Sequence, residues 1–306
     1  MMSRKTVPYI LLIPIFVYFG LFLAYPLYQV AQDSFFNMSM LNPFYKTWAG
    51  FDNYGWLFNS VNLFSIGSNY SYFVQSLVTT VPWLIGSVSL KIIVGLLAAL
   101  LLNSEFLMGK KVYRALVIVP WAIPWALAAM IWKWTLNNQF GIVNSFLLSF
   151  HIINTPITFL STPISAFITT FIIDAWAGLP FMIIMILSGL QSIPDDLYEA
   201  ATLDGANDFT KLRKITLPSL KTVLLTVSLL SVVWTFNSFD FIWVLTGGGP
   251  VSSTTTLPIA IYNISFGDVG VSGGIGKASA MTIIQVIIVT VISVFYVKTL
   301  GSGEEY

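Results

Sequence analysis

Long stretches without a single Asp, Glu, Lys or Arg decide what this chain can become. Such stretches include 6–32, 115–132, 175–194, 222–239 and 278–297. A bilayer core is crossed by about 20 mostly apolar helical residues and tolerates few ions, so each of these runs has the character of a membrane span. A further run surrounds Lys91, and the run at 175–194 extends backward past Asp174. The sequence therefore predicts an all-α membrane protein with six transmembrane helices, near 8–30, 74–102, 114–134, 162–190, 218–245 and 278–300. Composition agrees, since 9% of the 306 residues are charged against roughly a quarter in soluble domains.

Lys and Arg set the orientation, because they are retained on the cytoplasmic side. Alternating the spans puts Arg4, Lys5, Lys110, Lys111, Arg114, Lys211, Arg213, Lys214, Lys221 and Lys298 on one side. Only Lys46, Lys133 and Lys277 fall on the other, and Lys91 lies inside a span. Both termini and the loop at 191–217 are therefore expected in the cytoplasm. The amino-terminal apolar stretch is longer than the 7–15 residues of a signal-peptide core and no small-x-small site follows it, so it reads as a retained first helix. The triplets at Asn37, Asn69 and Asn263 match the glycosylation pattern and all fall on the outer side.

Several chemistries are excluded or disfavoured. Zero cysteines remove disulfides and thiolate catalysis, and a single histidine, His151, makes a metal centre or a Ser–His relay unfavourable. No catalytic or metal-ligating residue is expected. The nearest approach to a phosphate loop, Gly273-Gly-Ile-Gly-Lys-Ala-Ser, has Val271 at the first glycine position and Ala278 after the lysine, and reads as an outer loop. Lys91 and Asp174 are costly inside a bilayer and are expected to pair structurally, with a transport relay as the other reading.

The exception to the apolar pattern is the loop at 191–217. It concentrates the acids Asp195, Asp196, Glu199, Asp204 and Asp208, followed by the bases Lys211, Arg213 and Lys214. Ser192 with Asp195 has capping-box spacing, Pro194 suits a first turn, and Gly205 suits a left-handed turn between two short helices. Small residues at Ala200 and Ala201 permit close approach by another backbone.

The spacing Glu199-Ala200-Ala201, then Gly205, Ile215 and Leu217-Pro218 resembles the EAA motif of permease subunits of binding-protein-dependent ABC importers. The segments "YRALVIVPWAIP" at 113–124, "GIVNSFL" at 141–147 and "FDFIWVLTGGGP" at 239–250 resemble the carbohydrate-uptake branch. The last is similar to the permease type that includes the larger permease of maltose systems and the first of glycerol-phosphate systems. The resemblance runs from roughly 70 to 300. It implies the type I importer permease fold: a first helix and outer loop at 1–73, a permease core at 74–300 containing the coupling loop, and a cytoplasmic tail at 301–306. It also implies a prokaryotic inner-membrane protein with a second permease, two ATPase subunits holding ATP and magnesium, and an extracytoplasmic sugar-binding protein as partners. No cofactor would be bound by this chain and no nucleic acid is involved. Glu199, Ala200, Ala201, Gly205, Ile215, Leu217 and Pro218 would couple to the ATPase.

For the solute pathway, Asn237 and Asp240 stand three apart in the fifth span, with Trp234 and Phe241 beside Asn237 at helical spacing. Polar groups bracketed by aromatic rings suit sugar hydroxyls and pyranose faces. Trp121 and Trp176 are further candidates on the third and fourth spans. A six-span secondary transporter or channel would share the composition and charge bias, and a permease for a non-sugar solute would share the EAA loop.

Overall fold

A computed structural model describes residues 7–59, 71–104, 106–267 and 273–301. Arg4, Lys5, Asn69, Val271 and the tail at 302–306 lie outside the described residues. The chain groups into two units: one contains the amino-terminal segment to Gln75 with Ala260–Ile288, the other contains Ser76–Ile259 and the residues from Val289 onward.

The first unit opens with α1 (Val7–Phe19), a π-helical turn at Gly20–Ala24 and α2 (Tyr25–Asp33). Pro14 and Pro26 each remove a backbone donor along this stretch. The helix exposes apolar side chains all round, from Leu11 to Tyr28, as a lipid-facing span does. A hairpin follows, β1 (Phe36–Ser39) and β2 (Asn42–Trp48), antiparallel with Phe36 opposite Trp48. Phe35 stacks on Trp48 at 6.0 Å between ring centres, and Lys46 pairs with Asp33 at 2.7 Å. Asn53, in α3 (Asp52–Asn59), donates to the carbonyls of Ser34 and Phe36 and so ties the hairpin to the helix. Residues 31–59 thus form an ordered cap, and this hairpin is the departure from an otherwise helical chain among the described residues.

The stretch read as an outer loop at 273–279 is instead the start of α15 (Gly274–Gly301). A side chain at Gly276 would meet Phe36 O and Asn53 Nδ2, and Lys277 lies over the Trp56 ring at 4.6 Å. Its glycines serve close packing against the cap. α14 (Leu257–Phe266) precedes it, and Asn263 there donates to Tyr72 OH at 3.0 Å.

The second unit contains most of α4 (Tyr72–Asn103), then α5 (Lys110–Ala122), α6 (Trp125–Thr135), α7 (Ile142–Ser149) and α8 (Pro163–Gln191). After these come α9 (Asp195–Leu203), α10 (Asp208–Lys211), a π-helical turn at Leu212–Thr216, α11 (Leu217–Ser219), α12 (Lys221–Phe236) and α13 (Asp240–Leu245). Among the described residues, four helical stretches can each cross a membrane unbroken. Two bent pairs bring the number to six where each pair counts as one span.

The third predicted span is not one rod. α5 and α6 meet at 95° because Ile123 is extended and Pro124 follows it; the residue before a proline is pushed out of the helical region. The fifth predicted span, 218–245, is interrupted twice. α12 leaves the preceding helical segment at 63°, and it ends at Asn237, whose amide nitrogen donates to Val233 O at 2.7 Å. Such side-chain competition with the backbone ends helices.

α8 is the hub of this unit. Thr162 caps its start by accepting from the Ser165 amide, with Pro163 in the first turn. Ile183, Ile186, Leu187 and Leu190 pack with Ala99 and Leu102 of α4 and with Leu220 and Val227. Small residues let the helices close up, as is usual where lipid tails remove the driving force that water supplies. A Cβ on Gly95 would meet Met182 at 2.9 Å, and one on Gly189 would meet Leu220 at the same distance.

A buried ion pair joins three of these helices. Lys91 Nζ on α4 lies 2.6 Å from Asp174 Oδ2 on α8 and donates to Thr235 Oγ1 on α12 at 2.9 Å. Ser87 also donates to Asp174 Oδ2, and the Trp125 ring lies 5.9 Å from the ammonium. Both charged side chains are buried. The pairing expected from two charges stranded in apolar runs is present.

Candidate functional site: a helical pair and an aromatic cavity

The candidates in the loop at 191–217 form a compact helical pair. Its first member, α9, does not start with a capping box. Ser192 instead closes α8, its hydroxyl donating to Gly189 O at 2.8 Å, and Pro194 is the N-cap residue. Asp195 and Asp196 occupy the first turn, where acids complement the partial positive charge of the helix end.

Gly205 ends α9 with φ +78°. The Ala206 amide donates to Ala201 O at 2.9 Å and the Gly205 amide to Thr202 O at 3.0 Å. These are the two bonds of a Schellman turn, in which the left-handed position belongs to glycine. Asn207 then caps α10, accepting from the Thr210 amide at 2.8 Å. The two halves are pinned by Tyr198 OH and Thr216 Oγ1 at 3.0 Å, with Tyr198 and Ile215 against the core.

Glu199, Ala200, Gly205 and Pro218 are exposed, whereas Ala201, Ile215 and Leu217 are half-buried. The motif thus divides into an outward-facing part and a part that fastens the loop to the spans. Sequence reasoning passed over Leu203 and Phe209, which stand 89% and 70% exposed beside the motif. An apolar residue in a charged loop was the available signal.

The pathway candidates converge on a cavity of about 460 Å³ lined by Trp121, Trp125, Val233, Trp234, Asn237, Ser238, Phe239, Asp240 and Phe241. It lies beside the bend between α5 and α6, where Trp121 and Trp125 flank the break, and at the interruption between α12 and α13, at Asn237–Phe239. Asn237 and Asp240 do not share a helix face as predicted, because the helix ends between them; they meet at the cavity across the break. Phe241 is buried with its ring edge-on to Trp125 at 6.2 Å, while Trp234 and Trp121 are half-open. Trp176 is not among the lining residues: it packs edge-on against Trp132 at 5.3 Å.

Ser238, Phe239 and Trp125 were missed, since the periodicity argument assumed an unbroken helix. Ser238 Oγ is buried with no hydrogen-bond partner, in the cavity wall. Behind that wall, Lys91 approaches Gly178, whose missing side chain leaves room: a Cβ there would meet Lys91 Cε at 2.8 Å.

The "TGGGP" segment closes the C-terminal end of α13 as a tight turn. Gly247 and Gly248 have positive φ, and Thr255 Oγ1 donates to Gly248 O at 2.9 Å. The chain is then held on α4 by the Leu257 amide donating to Thr80 Oγ1 at 2.9 Å.

Residues 91–298 match the family described as "Binding-protein-dependent transport system inner membrane component". The chain belongs to that family. It is a multi-pass membrane component of a transport system, not an enzyme. The trehalose/maltose transport system permease protein MalF of Thermococcus litoralis is 41% identical over 227 residues, which is 74% of each chain. A probable ABC transporter permease protein of Brucella suis is 32% identical over 99% of this chain and 100% of its own. A chain from the crystal structure of a bacterial ABC transporter involved in alginate import has the same fold, with a TM-score of 0.80 at 22% identity over 98% of this chain and 96% of that one. This fold is the type I importer permease expected from the EAA spacing.

Proposed function

We propose that this chain is one of the two permeases of an ATP-driven sugar importer, and that the aromatic cavity is part of its solute pathway. One observation carries the reading: an amide, a carboxylate and a buried unpartnered hydroxyl stand among tryptophan rings at the break of two spans. Flat apolar faces suit pyranose rings, and polar side chains at membrane depth require a wet cavity or a partner. Relatives named for trehalose/maltose and maltodextrin transport support the solute class. An alginate ABC transporter in complex with its sugar-bound periplasmic protein supports an extracytoplasmic binding protein as a partner. The second permease would be a different chain, and two ATPase subunits with ATP and magnesium would dock on α9. Hydrolysis would then take place outside this chain.

Asn237→Ala and Asp240→Ala should each lower uptake and sugar-stimulated ATPase by about tenfold, the loss of one hydrogen bond to the solute. Normal rates for both in well-expressed protein, measured against a panel of sugars, would remove the cavity from the pathway. Trp176→Phe, by contrast, should act only through packing.

Both termini are proposed to be cytoplasmic. Cysteines introduced singly at Met40, Phe150 and Val251 should react with an impermeant reagent in intact cells, and one at Asp208 should not. Val251 is well exposed and so accessible to the reagent. Labelling at 208 from outside would invert the topology.

A further inference from the structure

A second cavity, of about 260 Å³, lies between α5 and α8 near the end of α4. Its walls include Val117, Ile183 and Leu187, and its polar groups are Arg114, Ser188 and Gln191. Arg114 Nε is buried without a hydrogen-bond partner. A buried guanidinium nitrogen left unpaired is costly, and an anionic oxygen is what its planar fork matches best.

Depth narrows the ligand. Gln191 is the last residue of α8 and Leu102 the next to last of α4. Arg114 stands four residues into α5, about 6 Å along its axis from Lys110. The cavity therefore lies where three spans reach the interface, with an apolar wall running toward the bilayer and a cation at the headgroup level. Lys110 and Lys111 add positive charge at the same helix start. A free inorganic anion would have no use for the apolar walls, whereas a phosphate carrying acyl chains uses both ends.

We propose that this cavity binds the headgroup and upper acyl chain of an anionic phospholipid, with Arg114 holding the phosphate and Ser188 and Gln191 at its polar rim. Basic pockets between spans on the cytoplasmic side have the chemistry for such lipids. The leaflet rests on the proposed cytoplasmic orientation of the α8–α9 end. Occupancy does not, so a failure of the topology and a failure of the site are separately visible.

The test uses the full importer in nanodiscs of equal phosphatidylcholine and phosphatidylglycerol, with lipid retained after gentle extraction counted by native mass spectrometry. Wild type should retain phosphatidylglycerol on this chain. Arg114→Gln should weaken retention by about ten- to a hundredfold, as expected for a charged hydrogen-bond partner lost. Lys110→Gln with Lys111→Gln should change it far less. Val117→Phe, which fills the cavity and keeps every charge, should also reduce retention, and it decides the matter if Arg114→Gln does not assemble. Equal retention of the two lipids by wild type, unchanged retention in Arg114→Gln or Val117→Phe, or displacement of the lipid by inorganic phosphate would each overturn the proposal. Loss of uptake in Arg114→Gln with lipid retention intact would instead make the cavity part of the solute route, and would equally overturn it.

Discussion

Lys91→Ala should destabilise the helical core by about 3–5 kcal/mol, the cost of breaking a buried ion pair from one side. The substitution strands the Asp174 carboxylate at 0% exposure with only Ser87 to support it, and removes the donor to Thr235. Asp174→Ala should cost a similar amount by stranding the ammonium instead. The double variant Lys91→Met, Asp174→Leu should recover most of the loss, because well-packed apolar replacements avoid the desolvation of both charges. Thermal unfolding of the detergent-solubilised complex reads all three. Single variants that melt like wild type would mean that the pair does not hold α4, α8 and α12 together.

The same series bears on transport. Thr235 lies one residue from Trp234 and two from Asn237, and Lys91 approaches the Trp125 ring. If the pair also fixes the cavity, the stable double variant should import more slowly even though it folds. An unchanged rate there would confine the pair to structure.

How far this architecture was legible follows from which rules are local. Charges stranded in apolar runs must find each other, so Lys91 and Asp174 could be matched from sequence alone. Span positions were equally legible, because a bilayer imposes length and polarity on every one of them. The breaks were not. Pro124 and Asn237 each stop a helix, yet a span in a bundle often keeps its proline, and the stop depends on how neighbours satisfy the freed groups. For that reason Asn237 and Asp240 line one cavity, but not through the shared helix face that their spacing predicted. Trp176 was placed in the pathway because an aromatic ring serves packing and stacking alike, and only its contact with Trp132 separates the two. Ser192 shows a further limit: capping-box spacing was present, but α8 continues far enough to claim that residue for its own end. The hairpin at 36–48 was hidden by a charge-poor, aromatic-rich composition with no period long enough to read.

Gly205→Val should leave membrane insertion intact and weaken recovery of the ATPase subunits or uncouple hydrolysis from uptake. A side chain at this position would meet nothing within 4 Å, so crowding within the chain is not the cause. The effect comes from the backbone: φ of +78° is left-handed, and a β-branched residue there costs roughly 1–3 kcal/mol. That strain can be relieved by opening the Schellman turn, which would release the Ala201 and Thr202 carbonyls and rotate α9 away from α10. Tyr198 and Thr216 would still hold the base of the loop, so the spans should be unaffected while the exposed face of Glu199, Ala200 and Leu203 is re-aimed. Gly205→Asn separates the two causes, since asparagine tolerates the left-handed region and adds bulk at the same place. It should couple nearly as well as wild type. Glu199→Lys reverses charge on the exposed face without touching the turn, and should weaken ATPase recovery with α9 intact. If Gly205→Val retains normal uptake and normal complex recovery, the left-handed turn has no part in aiming α9, and if Glu199→Lys does so too, the loop is a solvated connection between α8 and α12.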